Sequence, residues 1–244
     1  MKKPFDRNPL NVLKECGGCY ESPRDKNGKI IGPLVAYAGK YKDNSGNEKQ
    51  YVGPDYFNFA RAEQHPEICN YFARAIMQDM WEKMPGDPMP NPDVVVGMPM
   101  GGIILATHLS ILLDCRVIFA EKKITALADP ENGLKEVSEL IINRHEIYPG
   151  DHVAIVEDVC NNFSTTEKAA QLIVGADAKF FGILCAINRS KTEKWDKYNV
   201  VSSIFKPSEQ YKQDDSAVAD LIARGKIVWK PKQQWEVLKA AMKK

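Results

Sequence analysis

The stretch VAIVEDVCNNFSTTEKAA, residues 153–170, decides how this chain reads. Its opening run is apolar and β-branched, the pattern of a strand buried on both faces in a parallel sheet. The run ends in two adjacent carboxylates, Glu157 and Asp158. A polar loop follows. Ser164-Thr165-Thr166-Glu167 then matches the S/T-x-x-E capping box, which predicts a helix over about residues 165–174 with Ser164 as its cap. Parallel α/β sheets take ligands at the carboxyl ends of their strands. A helix start offers unpaired N–H groups and the positive end of a dipole, a seat for phosphate. Phosphate there, with vicinal hydroxyls on the two carboxylates, describes a ribose 5-phosphate. Acids also end strands that bind nothing, and Ser164 would cap its helix either way, so this segment alone leaves both readings open.

Working outward, strands and helices alternate. VVVGM (94–98) predicts a buried strand, GGIILATHLSILLD (101–114) a helix, CRVIFAEKK (115–123) a second strand. ELIINRHEI (139–147) reads as a hairpin arm, and KFFGILCAINRS (179–190) as a fourth strand after the 165–174 helix. This alternation implies βαβ units and a parallel sheet. Upstream, Asn27-Gly28 and Ser45-Gly46 mark turns of hairpins. Ile68, Phe72, Ile76 and Met80 recur every four residues and predict a helix over about residues 66–84. Downstream, DDSAVADLIARGK (214–226) predicts a short helix stopped by Gly225, and the chain closes on a basic helix. Three textures result: 1–92, an N-terminal extension with a small hood; 93–190, an α/β core; 191–244, a tail packing on that core as part of one globular unit.

The 244 residues carry 33 basic and 32 acidic side chains, so no strong field argues for nucleic acid or a membrane surface. The N-terminus lacks an apolar signal core, and residues 103–113 are too short and too interrupted to span a bilayer; the expectation is a cytoplasmic protein. Cys16 and Cys19 form a lone CxxC, two ligands where zinc wants four, and the plainer reading is a Gly-Gly turn between two thiols.

VAIVEDV, its loop and the Ser/Thr-led helix resemble the PRPP-binding signature of the type I phosphoribosyltransferases. The other pieces follow in order. VVVGMPMGGIILA resembles that family's pyrophosphate loop and helix, and VIFAEKK the strand ending in a pyrophosphate-contacting lysine. RHEIYPGDHVAIVEDV is similar to the lead-in of the orotate enzymes, DYFNFA (55–60) to their hood, and ILCAINRS to the strand whose Asp-Arg meets orotate. The resemblance implies the type I fold, a central mostly parallel sheet flanked by helices with a smaller hood. It implies Glu157, Asp158 and Lys122 as catalytic residues. Asn161, Asn162, Phe163, Ser164, Thr165, Gly101, Gly102 and Lys123 would bind PRPP; Tyr56, Phe57 and Arg189 would face the base. No metal ligand is assigned, because Mg2+ rides on PRPP, near Asp158. The implied reaction exchanges pyrophosphate for a nitrogenous base at ribose C1, in a homodimer.

Departures from that pattern are specific. Phe163 stands where the family has glycine; if that position needs φ > 0, phenylalanine is strained there, and otherwise it narrows the pocket. Gly101 aligns with one usual lysine and Thr125 with another; Lys123, Lys135, Arg144 or His145 are the candidate replacements, although His145 reads more simply as a surface hairpin residue. Asn188 replaces aspartate. These changes leave an alternative, a non-catalytic protein of the same fold that senses PRPP or a nucleotide. A dinucleotide site is third, since GMPMGG lacks the G-x-G-x-x-G spacing.

Overall fold

The computed structural model describes residues 7–84, 86, 90–127 and 137–242. In chain order its elements are α1 (Pro9–Glu15), β1 (Cys19–Glu21), β2 (Leu34–Lys42), β3 (Glu48–Gly53), β4 (Asp55–Phe57), α2 (Ala60–Glu63), α3 (Pro66–Lys83), β5 (Val94–Gly97), α4 (Gly102–Leu113), β6 (Arg116–Phe119), β7 (Glu121–Ala126), β8 (Val137–Ile141), β9 (His152–Cys160), α5 (Ser164–Gly175), β10 (Lys179–Asn188), β11 (Lys194–Trp195), β12 (Tyr198–Phe205), α6 (Ala219–Ala223), β13 (Ile227–Val228) and α7 (Trp235–Met242). They form two units, one of residues 1–9 and 62–205, the other of residues 10–61 and 206–244. Among the described residues no helix is long and apolar enough to cross a membrane.

The first unit holds a six-stranded sheet in the order β11-β12-β10-β9-β5-β6. Every pairing in it is parallel except β11 with β12. The β-branched runs explain the central strands. Val94, Val95 and Val96 of β5 and Val153, Ala154, Ile155 and Val156 of β9 are fully buried. Side chains alternate across the sheet. Val153 and Ile155 therefore share a core with Ala169 and Ile173 of α5, while Ala154 and Val156 turn to the face on which α4 packs. Each fully buried valine or isoleucine contributes about 1.5–3 kcal/mol. The core is interrupted at Glu157: Glu157, Asp158 and Val159 are only partly covered, and Cys160 is buried again. α3 forms as its four-residue spacing predicts, with Pro66 in its first turn and Phe72, Ile76 and Met80 buried.

Two expectations in this unit need correction. CRVIFAEKK is not one strand. Ala120 is buried and donates its N–H to Gly97 O (3.1 Å); the chain breaks there, and Glu121 begins β7, which pairs antiparallel with β8 in a separate two-stranded arm. His145 is not a surface hairpin residue. It lies beyond β8 and packs edge-on against Phe119, ring centroids 4.6 Å apart. Residues 128–136, with the candidate Lys135, lie outside the described residues.

The second unit contains the sheet β13-β2-β3 and the pair β1-β4. The β2-β3 hairpin turns at Ser45-Gly46, where Gly46 has φ +81° and the Asp43 carboxylate accepts the Ser45 and Asn47 N–H groups. The helix expected over 214–226 contracts to α6. Asp215 first folds a turn, its side chain accepting the Ala217 N–H (2.9 Å), a local bond that competes with helix. Gly225 does stop it, at φ +69°. Cys16-Gly17-Gly18-Cys19 is the turn from α1 into β1, with Gly17 at φ +68°. Burial pushes the Cys19 thiol up to about 12, so it keeps its proton at neutral pH.

Candidate functional site

The candidate site gathers at the carboxyl ends of β5 and β9. β5 ends on Gly97, and the loop 98–101 leads into α4, crossing β9 at backbone contact. Met98 N–H donates to Val156 O (2.9 Å) and Gly102 N–H to Met98 O (3.0 Å). A methyl group on Gly102 would lie 2.1 Å from Val156 O, and one on Gly101 would lie 2.4 Å from the Asp158 carboxylate. The two glycines therefore bring this loop onto the acidic pair. Gly97 has a role that sequence reading passed over: a methyl there would meet Ile103 Cα at 2.8 Å. Its signal was available, a glycine ending an otherwise β-branched strand.

Glu157 and Asp158 stand where β9 leaves the core. The Asp158 carboxylate accepts the Val159 N–H (2.8 Å), which pins its side chain. Burial pushes the Glu157 carboxyl up to about 8; the neighbouring Asp158 charge adds to this, and the Lys122 ammonium pulls it part-way back. Lys122, exposed on β7, is thus close enough for Glu157 to feel its charge. Lys123 pairs instead with Glu139 across the arm (3.7 Å), and Arg144 with Glu121 (3.3 Å).

The Glu157 value has a consequence for stability. The unfolded carboxyl loses its proton near 4.5 and the folded one near 8. Between those limits the folded state holds the extra proton, so stability falls as pH rises from about 4.5 to about 8. The full effect is on the order of 5 kcal/mol at most. In the ligand-free protein, Glu157→Gln should match wild type in urea unfolding near pH 4.5 and exceed it at pH 8. An equal difference at both pH values would refute the assignment.

The loop after β9 departs from the sequence reading. Ser164 is not the helix cap but the first residue of α5. The cap is Phe163, at φ 56° and ψ 11°, with no side-chain capping bond. The capping box therefore does not form: Phe163 O accepts the Glu167 N–H (2.9 Å), while the Ser164 hydroxyl turns back to Asn162 Oδ1 (3.1 Å). Phe163 holds the left-handed conformation that glycine takes most easily, at a cost on the order of 1 kcal/mol. Its ring packs, partly buried, against the core cluster that includes Ala169 and Ile173, and this burial offsets the strain. Residues 161–165 still wrap the start of α5, whose first N–H groups have no partner within the helix.

The residues expected at the base divide. Arg189, at the end of β10, is buried and donates its backbone N–H to Cys160 O (3.0 Å). Asn188 is taken up by its own turn, donating to Thr192 O (2.8 Å) and accepting the Ser190 hydroxyl (2.6 Å). Tyr56 and Phe57 belong to the second unit, on β4. Phe57 is buried, with the Lys206 ammonium 5.8 Å from its ring; Tyr56 is half-buried, 6.0 Å from the Trp235 ring.

The chain is similar to known proteins. Residues 72–216 match the phosphoribosyl transferase domain family. The orotate phosphoribosyltransferase of Chlorobium phaeobacteroides is 26% identical over 168 residues, covering 67% of this chain and 75% of that protein. That of Caldanaerobacter subterraneus is 27% identical over 159 residues, covering 65% and 68%. Among solved structures, Leishmania donovani UMP synthase superposes with a TM-score of 0.51 at 15% identity, covering 95% of this chain and 41% of that one. Orotate phosphoribosyltransferase from Aeropyrum pernix gives 0.50 at 14% identity, covering 87% and 97%. At these identities the two superpositions speak for the fold alone. The family match runs over more than half of the sequence, from α3 through the acidic pair and past β12, and the chain belongs to the phosphoribosyl transferase domain family.

Proposed function

We propose that this protein is a phosphoribosyltransferase of the orotate type, joining the nitrogen of a base to C1 of PRPP as the C1–O bond to pyrophosphate breaks. The observation that carries the reading is the approach of the Gly101-Gly102 loop to Asp158 beside the start of α5. This sets a seat for pyrophosphate, two carboxylates for the ribose hydroxyls and a helix start for the 5-phosphate within one strand-end cluster. Asn161, Asn162, Ser164 and Thr165 supply polar groups to the 5-phosphate, with Phe163 holding the turn from behind. Lys122 faces the leaving pyrophosphate, and Arg189 is assigned to the base.

The chain's part in the reaction is orientation and charge. Positive charge develops on the ribose as the C1–O bond lengthens, and the Asp158 carboxylate lies on that side; Glu157, which keeps its proton at neutral pH, offers the ribose hydroxyls a hydrogen-bonding carboxyl. Magnesium fits as a partner of PRPP: the Asp158 carboxylate at the strand end is a hard oxygen donor of the kind it takes alongside substrate phosphates and its own waters. When bound it would neutralise the departing pyrophosphate. A cytoplasmic homodimer completes the proposal. Ile104 and Ile111 on α4, and Met100 before it, are exposed (42%, 72% and 83%), an apolar strip suited to a second copy.

Turnover is favoured over sensing by the acidic pair and by Lys122, whose charge reaches Glu157; the phosphate loop serves either role. The test is pyrophosphate release from PRPP with magnesium and a panel of bases. Steady release is expected with orotate and not without a base. PRPP binding without release for any base would replace the enzyme with a sensor, and no PRPP binding would sink both.

A further inference from the structure

A second polar cavity lies in the first unit, away from the cluster just described. It measures about 220 Å³ and sits between α3, the segment before α1 and the outer edge of β12. The edge explains it. β11 pairs with Tyr198 and Asn199, and Val200 N–H donates to Glu193 O (2.9 Å); beyond that, among the described residues, the outer side of β12 lacks a strand. α3 supplies a substitute: the Asp79 carboxylate accepts the Ser202 N–H (3.3 Å). Such a side-chain cover leaves a gap where a strand would have filled the space.

The cavity is polarised along α3. Arg74 stands towards one end, with Arg7 held near it through the hydrogen bond from Tyr71 Oη to Arg7 O. Asp79 and Glu82 stand towards the other. At 1.5 Å per helical residue, Arg74 is about 8 Å along the axis from Asp79 and about 12 Å from Glu82. Ser202 lines the cavity and is 6% exposed, and its hydroxyl has no hydrogen-bond partner among the described residues. A buried hydroxyl without a partner is costly, and a polar ligand would satisfy it.

We propose that this cavity binds a small sugar phosphate, its phosphate on Arg7 and Arg74 and its hydroxyls on Asp79, Glu82 and Ser202. Guanidinium groups recognise phosphate through paired N–H donors. Carboxylates accept from sugar hydroxyls, and the separation of the two ends matches a ligand anionic at one end and hydroxylated at the other. These groups also have partners within the protein: Asp79 pairs with Lys83 (3.0 Å), Glu82 accepts from Gln78 Nε2 (2.9 Å) and Arg74 Nε donates to Asn70 Oδ1 (2.8 Å), so a ligand would add to these contacts. Ser202 stands in register with Cys185, and Cys185 with Glu157. The cavity is therefore two strand spacings, about 10 Å, from the acidic pair, a separate seat.

The test is calorimetry with ribose 5-phosphate, inorganic phosphate and ribose as probes. Wild type should take up two equivalents of ribose 5-phosphate, one at each seat. Arg74→Gln should weaken one of them by about tenfold or more and leave PRPP binding intact, whereas Asp158→Asn should affect the other. Glu82→Gln should weaken ribose 5-phosphate but not inorganic phosphate. Arg74 and Glu82 are exposed, so both variants should fold; Ser202→Val, which fills the floor, gives an independent variant. A single equivalent in wild type, or two that survive both Arg74→Gln and Ser202→Val, overturns the proposal. Two equivalents untouched by Asp158→Asn would count against the enzyme reading instead, leaving this one to the Arg74 result.

Discussion

Gly102→Ala should lower the melting temperature of the protein by about 6–12 °C and remove PRPP binding, the largest stability effect expected of any single methyl group in the first unit. The added carbon would sit 2.1 Å from Val156 O and 3.0 Å from Val156 C. Both are backbone atoms of a central strand, so no side chain can swing away. Either α4 lifts from the sheet or β9 shifts, and both carry part of the candidate site. Overpacking typically costs 1–3 kcal/mol; with backbone as the obstacle, about 3 kcal/mol or more is expected. Gly175→Ala is the control. It ends α5 with nothing within 4 Å of the added methyl, so it should leave stability unchanged or raise it by up to about 1 kcal/mol. Calorimetric melting of the two variants decides the matter; if Gly102→Ala melts like Gly175→Ala, the close approach of loop and strand is wrong.

The same contrast explains what the sequence could and could not disclose. β9 was legible because a buried strand needs an unbroken apolar run, and its end was legible because two charges cannot continue inward. Where the backbone bends, residue type misled. Phe163 looks like a disruption, yet it adopts the left-handed turn itself, and the packing of its ring that offsets the strain is tertiary and invisible locally. Ser164-Thr-Thr-Glu167 has the spacing of a capping box, but the box depends on which residue turns out of the helix, and here that residue is one earlier. The break at Ala120 falls in a uniform run of strand formers; it arises because Ala120 N–H bonds to Gly97 O while Glu121 already belongs to the arm. Gly97 itself was overlooked for the opposite reason, since a glycine ending a strand needs no explanation until the helix that crosses it is seen. Asn188 was read for its chemistry at a base, whereas its amide closes the turn to Thr192.

Asp158→Asn should cut kcat/KM for PRPP by about 10²–10³-fold while leaving the fold intact. The Asp158 side chain is held by the Val159 N–H, and an asparagine oxygen can accept the same bond, so geometry is preserved and only charge is lost. Loss of charge matters in two ways. A neutral amide accepts a weaker hydrogen bond from a ribose hydroxyl. It also removes negative charge facing the ribose as positive charge develops there, an interaction stronger in the transition state than in the ground state, so kcat should fall more than KM rises. A second readout separates this role from a structural one. Asp158 helps hold the Glu157 carboxyl up near 8, so its neutralisation lets Glu157 ionise at lower pH. The Glu157-dependent fall in stability should therefore finish below pH 8 in Asp158→Asn, and the variant should be the more stable protein at pH 8. Urea unfolding across pH 5–9 measures that shift, and initial rates at saturating orotate measure the catalytic loss. Unchanged kcat/KM would remove Asp158 from the mechanism, and an unchanged pH dependence would remove its coupling to Glu157.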